Sequence, residues 1–220
     1  MPERKHLIML MLISLATSTL TATAASATNT PAVTYPTGTL LATGAKVKLT
    51  NVGVPQLTVT LGGLECTKVE LTGTLVKNTG SEVEVNVETA SSSGTGLGGD
   101  CTPKPNSEKG RWTFAVATNG LPWCLRSVST MTEDEVQIRG GKCSEAGRPI
   151  RFINDAGLFT CTYERTSAMV GTVTTDPEDA VFQFAKQTFP GVTCGSESAA
   201  FDLNLTLERD ESVAQPIYIS

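Results

Sequence analysis

The chain has 220 residues, 22 acidic side chains against 17 basic ones, a formal net charge of −5 and one histidine, His6. An acidic chain without a basic stripe is a poor partner for nucleic acid or for anionic membrane surfaces. With the histidine so near the start, the body of the chain has no base for a Ser-His or Cys-His pair.

Residues 1–27 have the three parts of a signal peptide. Arg4 and Lys5 supply the positive start, opposed by Glu3, and Leu7 to Ala16 is the apolar run. Ala22-Thr23-Ala24 and Ala25-Ser26-Ala27 are the cleavage candidates, and cleavage is expected after Ala27. An apolar run of about ten residues is too short to span a hydrocarbon core, which takes about twenty. No later segment approaches that length, so no transmembrane segment is expected in the mature chain 28–220. Loss of Glu3, Arg4 and Lys5 takes the net charge from −5 to −6. The expected location is outside the cell or in its envelope.

Residues 28–44, with Pro31 and Pro36, read as a loose N-terminal segment, and 45–220 as a single domain. In that domain period-two alternation dominates. Val47 and Leu49 alternate with Lys46, Lys48 and Thr50; Leu57, Val59 and Leu61 with Thr58 and Thr60; Val83, Val85 and Val87 with Glu82, Glu84, Asn86 and Glu88. Trp112, Phe114 and Val116 share a face, as do Val136 and Ile138, then Ile150 and Phe152. Phe201, Leu203, Leu205 and Leu207 form the cleanest run. Such strands bury one face and wet the other, as antiparallel sheets do. Asn78-Thr79-Gly80, Asn119-Gly120, Gly140-Gly141, Asp155-Ala156-Gly157 and Asp176-Pro177-Glu178-Asp179 punctuate them as turns. The expected fold is all-β, an antiparallel two-sheet β-sandwich. The Ser-, Gly- and Pro-rich stretch from Thr89 to Gly110, with Asp100 inside it, is expected as an exposed loop.

Six cysteines lie beyond the leader: Cys66, Cys101, Cys124, Cys143, Cys161 and Cys194. Export makes disulfides their default fate, and no C-x-x-C spacing points to zinc. Six cysteines allow fifteen pairings. A faint internal duplication narrows them. Gly63-Leu64-Glu65-Cys66, then Gly73-Thr74-Leu75 and Cys101, parallel Gly157-Leu158-Phe159-Thr160-Cys161, then Gly171-Thr172-Val173 and Cys194. The parallel favours Cys66–Cys101 and Cys161–Cys194, which leaves Cys124–Cys143.

No P-loop, dinucleotide fingerprint or H-E-x-x-H motif is present, so no cofactor, metal or catalytic residue is assigned. Gly94 to Gly99 is glycine-rich, but no helix pattern follows it to hold a phosphate. Carboxylates are the one catalytic chemistry left open, since a glycosidase needs only two of them facing across a sugar. Glu133-Asp134-Glu135 and Asp176, Glu178 and Asp179 are the densest groups; as turn residues they read first as solvated. With Asp100 they form the expected binding surface. Trp112 reads as core, and Trp123 as packed on the bridge of its neighbour Cys124.

Leu121-Pro122-Trp123, Thr160-Cys161-Thr162-Tyr163 and the late Cys194 resemble features of uncharacterised exported β-proteins of high-GC Gram-positive bacteria. In those, an early and a late cysteine pair flank a Leu-Pro-Trp strand. The resemblance implies an exported β-sandwich and no particular activity. The expected role is therefore structural or binding, toward an extracellular protein or glycan, without catalysis. A carbohydrate-binding module or a carboxylate glycosidase is the alternative.

Overall fold

The computed structural model describes residues 33–34, 39–59, 62–79, 82–94, 101–103, 113–116, 120–129, 134–155, 160–175, 180–193, 198–209, 215–216 and 218–219. The leader lies outside the described residues. The strands, in chain order, are β1 (Val33–Thr34), β2 (Lys46–Asn51), β3 (Gln56–Val59), β4 (Gly62–Glu65), β5 (Lys68–Asn78) and β6 (Glu82–Ser93). There follow β7 (Thr102–Pro103), β8 (Thr113–Val116), β9 (Trp123–Ser129), β10 (Asp134–Gly140), β11 (Ile150–Asp155) and β12 (Thr160–Arg165). The last are β13 (Met169–Thr175), β14 (Ala180–Pro190), β15 (Ser198–Arg209), β16 (Gln215–Pro216) and β17 (Tyr218–Ile219). The protein is all-β.

Eight of these strands close on themselves. Around the ring β2, β5, β6, β9, β10, β13, β14 and β15 each pair antiparallel with the next, and β15 returns to β2. Ring order is chain order, which makes this an up-and-down barrel. The expected two-sheet sandwich is thereby corrected. Alternation dictates that each strand buries one face; it does not say whether that face meets a second sheet or the far wall of its own. Nor do the two halves of the chain form matching layers, since one ring takes strands from both.

What bends the sheet into a ring is local. A Cβ added at Gly73 would stand 2.3 Å from the carbonyl oxygen of Asn86, and one at Gly171 would stand 2.3 Å from that of Gln183. At both places the neighbouring backbone occupies the space of a side chain, so only glycine fits, and glycines at such close approaches are where closed sheets bend. Register shifts between Thr72 and Gly73 and between Leu75 and Lys77 mark bulges in the β5–β6 pair, and a third lies between Phe184 and Gln187 on β14. In the last, Lys186 takes a φ of 47° and its N–H donates to Asp202 Oδ1 at 2.7 Å.

Inward positions are filled by Val47, Leu49, Leu75, Val83, Val85, Val87, Leu125, Val136, Ile138, Phe182, Phe184, Leu205 and Leu207, all buried. The outer wall carries Lys46 on Glu88 (2.8 Å), Lys48 on Glu208 (3.6 Å) and Lys68 on Glu70 (2.7 Å), with Glu82 held by both Lys77 and Arg126. Apolar inside and charged outside is the reverse of a membrane-spanning barrel, whose apolar band faces lipid.

The two ends of the barrel differ. Connections 79–81, 130–133 and 176–179 join β5 to β6, β9 to β10 and β13 to β14 at one end. At the other end lie the long connections: one contains β3 and β4, the next β7 and β8, and the third β11 and β12. There β3 pairs with the first half of β15, and β4 and β7 follow it outward. Cys66–Cys101 continues the β4–β7 ladder by one step beyond Glu65↔Thr102, with Cα atoms 4.4 Å apart, the spacing of a non-hydrogen-bonded antiparallel pair.

Two further sequence expectations change. Thr89 to Ser93 is the end of β6, paired to β5 as far as Lys68, not loop; the exposed Ser91 fits an edge that still needs a ladder. The 28–44 segment is not loose throughout. Val33 and Thr34 pair with Ile219 and Tyr218, Leu41 is buried, and Asn78 Nδ2 donates to Leu41 O at 2.9 Å.

Candidate functional site

β9 opens Trp123-Cys124-Leu125-Arg126-Ser127, and successive side chains of a strand point to opposite faces. Trp123, Leu125 and Ser127 are buried inward, while the side chain of Arg126 is 43% exposed on the outer wall. Cys124 shares that outer face and is bonded there to Cys143, Cα to Cα 4.8 Å. The segment after β10 is folded back to cover it. Gly141, at φ 88°, makes the reversal and donates its N–H to Pro122 O at 2.8 Å; the Cys143 N–H donates to Asn86 Oδ1 at 2.8 Å. Trp123 therefore does not pack on its neighbour's bridge, as the sequence suggested. The barrel wall separates them.

The chain continuing from that reversal builds a cover. Gly140 and Arg148 form an isolated bridge, and β11 then pairs with β12 on one side and β8 on the other. Ile150 and Phe152 of β11 are buried toward the barrel. The Phe152 ring stacks on Tyr163 at 5.2 Å and meets Phe189 of β14 edge-on at 4.8 Å, both favoured aromatic geometries. The cover is fastened to the β14–β15 connection: the Val192 N–H donates to Thr162 O at 2.7 Å, and the Thr162 N–H to Thr193 Oγ1 at 2.8 Å. Arg151 and Glu164 pair on its outer face.

Between cover and barrel lies an apolar cavity of about 30 Å³. Val69, Leu71, Trp123, Ile138 and Met169 form one part of its wall, and Phe189, Phe201 and Leu203 another. Ile150 and Phe152 close it from the cover, and Ala90 and Ser91 lie at the end of β6. None of these residues is ionisable. The volume has room for one or two waters, which need several polar partners to stay. The wall offers little: Ser91 pairs with the outward Glu70 and turns its side chain to the outer face, which leaves the indole of Trp123. Trp123 is 8% exposed, and its Nε1–H has no acceptor among the described residues.

The β14 bulge keeps this end in shape. It draws the β14 backbone away from β13, and the buried Gln187 side chain fills the gap. Its Nε2 donates to Val170 O at 2.8 Å and its Oε1 accepts from the Val170 N–H at 3.3 Å. A side-chain amide thus stands in for a missing ladder pair beside Met169.

Of the expected binding-surface residues the structure describes Asp134 and Glu135, which lie at the start of β10, at the end of the barrel opposite the cavity. Asp134 opens β10, and Glu135 Oε1 accepts from Gln137 Nε2 at 2.5 Å. Asp100, Glu133, Asp176, Glu178, Asp179 and Trp112 lie outside the described residues. So does Cys194; Cys161 is disulfide-bonded and buried. No group of three or more His, Cys, Asp or Glu suited to a metal ion occurs among the described residues. The carboxylates that are electrostatically perturbed are on the outer wall. The hydrogen bond from Lys77 lowers the Glu82 pKa, with Arg126 adding to it, and the hydrogen bond from Lys46 lowers that of Glu88, with Thr74 adding to it.

Sequence reasoning missed the cavity residues as a set. Ile150 and Phe152 look like any alternating strand, and Met169 and Phe189 belong to no counted pattern; only their meeting at one barrel mouth distinguishes them. No helix among the described residues is long and apolar enough to cross a membrane. No family model matches the chain, and neither a curated protein nor a solved structure does so.

Proposed function

We propose that this is an exported, disulfide-stabilised binding protein that takes a small, largely apolar molecule into the covered end of its barrel and catalyses no reaction. The observation that carries the reading is the asymmetry of the barrel. Every long connection is gathered at one end, over an apolar cavity. Loops on a rigid scaffold are where recognition is usually built, and the mouths of β-barrels are common ligand sites. An eight-stranded ring is wide enough either to be filled by its own side chains or to hold one small ligand. At about 30 Å³ the closed cavity is nearer the first case, so the cover must move aside and Phe152 and Ile150 must give up their places. The cover is a separate three-stranded sheet, and its motion has to release the Val192–Thr162 and Thr162–Thr193 hydrogen bonds that fasten it.

The paired cysteines and the leader at 1–27 support an oxidising, extracellular or envelope setting, and the resemblance to exported proteins of high-GC Gram-positive bacteria agrees. The charged outer wall favours a water-surrounded barrel. A sugar-binding platform would want Trp123 exposed, and it is inside. The test is titration with the neutral apolar fluorophore N-phenyl-1-naphthylamine. The reading expects emission that saturates at one equivalent and is reversed by 2-methyl-1-heptene. A linear, non-displaceable rise would refute it.

A further inference from the structure

We infer that the bound molecule is not a pure hydrocarbon but carries one hydrogen-bond acceptor oxygen, a ketone, ester or ether, which accepts from the Trp123 indole N–H. The inference rests on the proposed binding function and adds the chemical class of ligand. Two observations carry it: an apolar cavity that has Trp123 in its wall, and a buried indole N–H with no acceptor among the described residues. A buried donor left unpaired is destabilising and is rare in folded proteins. The rest of the wall is aliphatic or aromatic apart from Ser91. A ligand with one acceptor matches such a site; a charged or multiply polar one would lose its hydration without replacement.

The choice of an acceptor over a donor follows from the chemistry of tryptophan, whose Nε1–H only donates. A carboxylate is disfavoured because no cationic side chain lines the cavity and an unpaired buried charge is strongly unfavourable. A neutral carbonyl or ether oxygen is what remains.

The experiment compares 2-heptanone with 2-methyl-1-heptene, which has the same shape with a CH₂ group in place of the oxygen. Both are titrated into the purified, oxidised protein, with calorimetry for affinity and ¹H–¹⁵N spectra for the indole N–H groups. The chain has two tryptophans, Trp112 and Trp123, so the indole region holds two signals. The ketone is expected to bind about 3- to 10-fold more tightly than the alkene, the range of one neutral hydrogen bond. The Trp123 N–H signal should shift downfield with the ketone and not with the alkene. In Trp123→Phe the affinity ratio should fall toward one; should that variant not fold, the wild-type ratio and indole shift still decide. Equal affinities in the wild type, with no indole shift, would overturn the acceptor inference while leaving apolar binding intact. Failure of both probes to bind would overturn the binding function and this inference with it.

Discussion

At the scale of single residues, the buried interior among the described residues is apolar with two telling exceptions, Gln187 and Ser127. Gln187 is justified by its hydrogen bonds to Val170. Ser127 is 1% exposed, faces Val83 and Val136 across its neighbouring strands, and its hydroxyl has no partner among the described residues. A buried hydroxyl without a partner is destabilising, and its removal relieves that. Ser127→Ala is expected to raise the unfolding free energy by roughly 0.5–1.5 kcal/mol in urea titrations; a loss of stability would show that the hydroxyl is satisfied. Trp123 is the same kind of exception at the start of β9, and there the residue with the orphan donor lines a cavity. Residue types in the sequence marked both positions as strand, but an alternation count cannot see whether an inward polar atom finds a partner.

At the scale of elements, β2, β6, β10 and β15 were legible because their inward places are filled by Val, Ile, Leu and Phe without interruption. β5 is less so. Its run Val69, Leu71, Gly73, Leu75 puts a glycine at an inward place, where the Asn86 backbone leaves no room for a side chain, and a feature that suits closure also breaks the pattern that reveals the strand. The end of β6 was hidden for a related reason. Ser91, Ser92 and Ser93 have turn-like composition, yet their backbone completes the ladder to β5. The bridges Cys66–Cys101 and Cys124–Cys143 were within reach of spacing and parallel alone. Cys124–Cys143, with a sequence separation of 19, ties a barrel wall to the start of the cover. Replacing both cysteines by alanine should lower stability by about 3 kcal/mol in the chain-entropy treatment, read as a reduced urea midpoint; an unchanged midpoint would mean that the fold around β9 does not depend on the bridge.

The outer ladder of β5, β6 and β9 makes an electrostatic prediction at the same scale. Folding lowers the pKa of Glu82, chiefly through Lys77 and then Arg126. In acid the unfolded chain therefore holds the proton more tightly than the folded one. The stabilisation is complete above the unfolded glutamate value of about 4.3 and disappears as pH falls through the lower folded value. Wild type should lose melting temperature on acidification below about pH 5 more steeply than Glu82→Gln. Parallel curves would show that the Lys77–Glu82–Arg126 cluster adds nothing to the folded state.

At the scale of the whole molecule, the sequence carried the class of fold and not its closure. Faces that alternate along eight strands suit a sandwich and a barrel equally; closure is decided by Gly73, Gly171 and the bulges, none of which has a signature in hydrophobic period. The site was legible even less. Its walls come from β5, β6, β9, β10, β11, β13, β14 and β15, so no stretch of sequence contains it, and of the acidic groups that attract attention in the sequence the described ones, Asp134 and Glu135, belong to the opposite end. That division of the molecule, a plain end of short connections and a covered end with an apolar cavity, is what the functional proposal depends on.

Two methionines lie beyond the leader: Met131, which lies outside the described residues, and Met169 in the cavity wall. The most direct measurement is ¹³C-methyl methionine NMR during titration with 2-heptanone. The binding proposal predicts a saturable shift of the Met169 methyl; a Met169 methyl that does not move would contradict it.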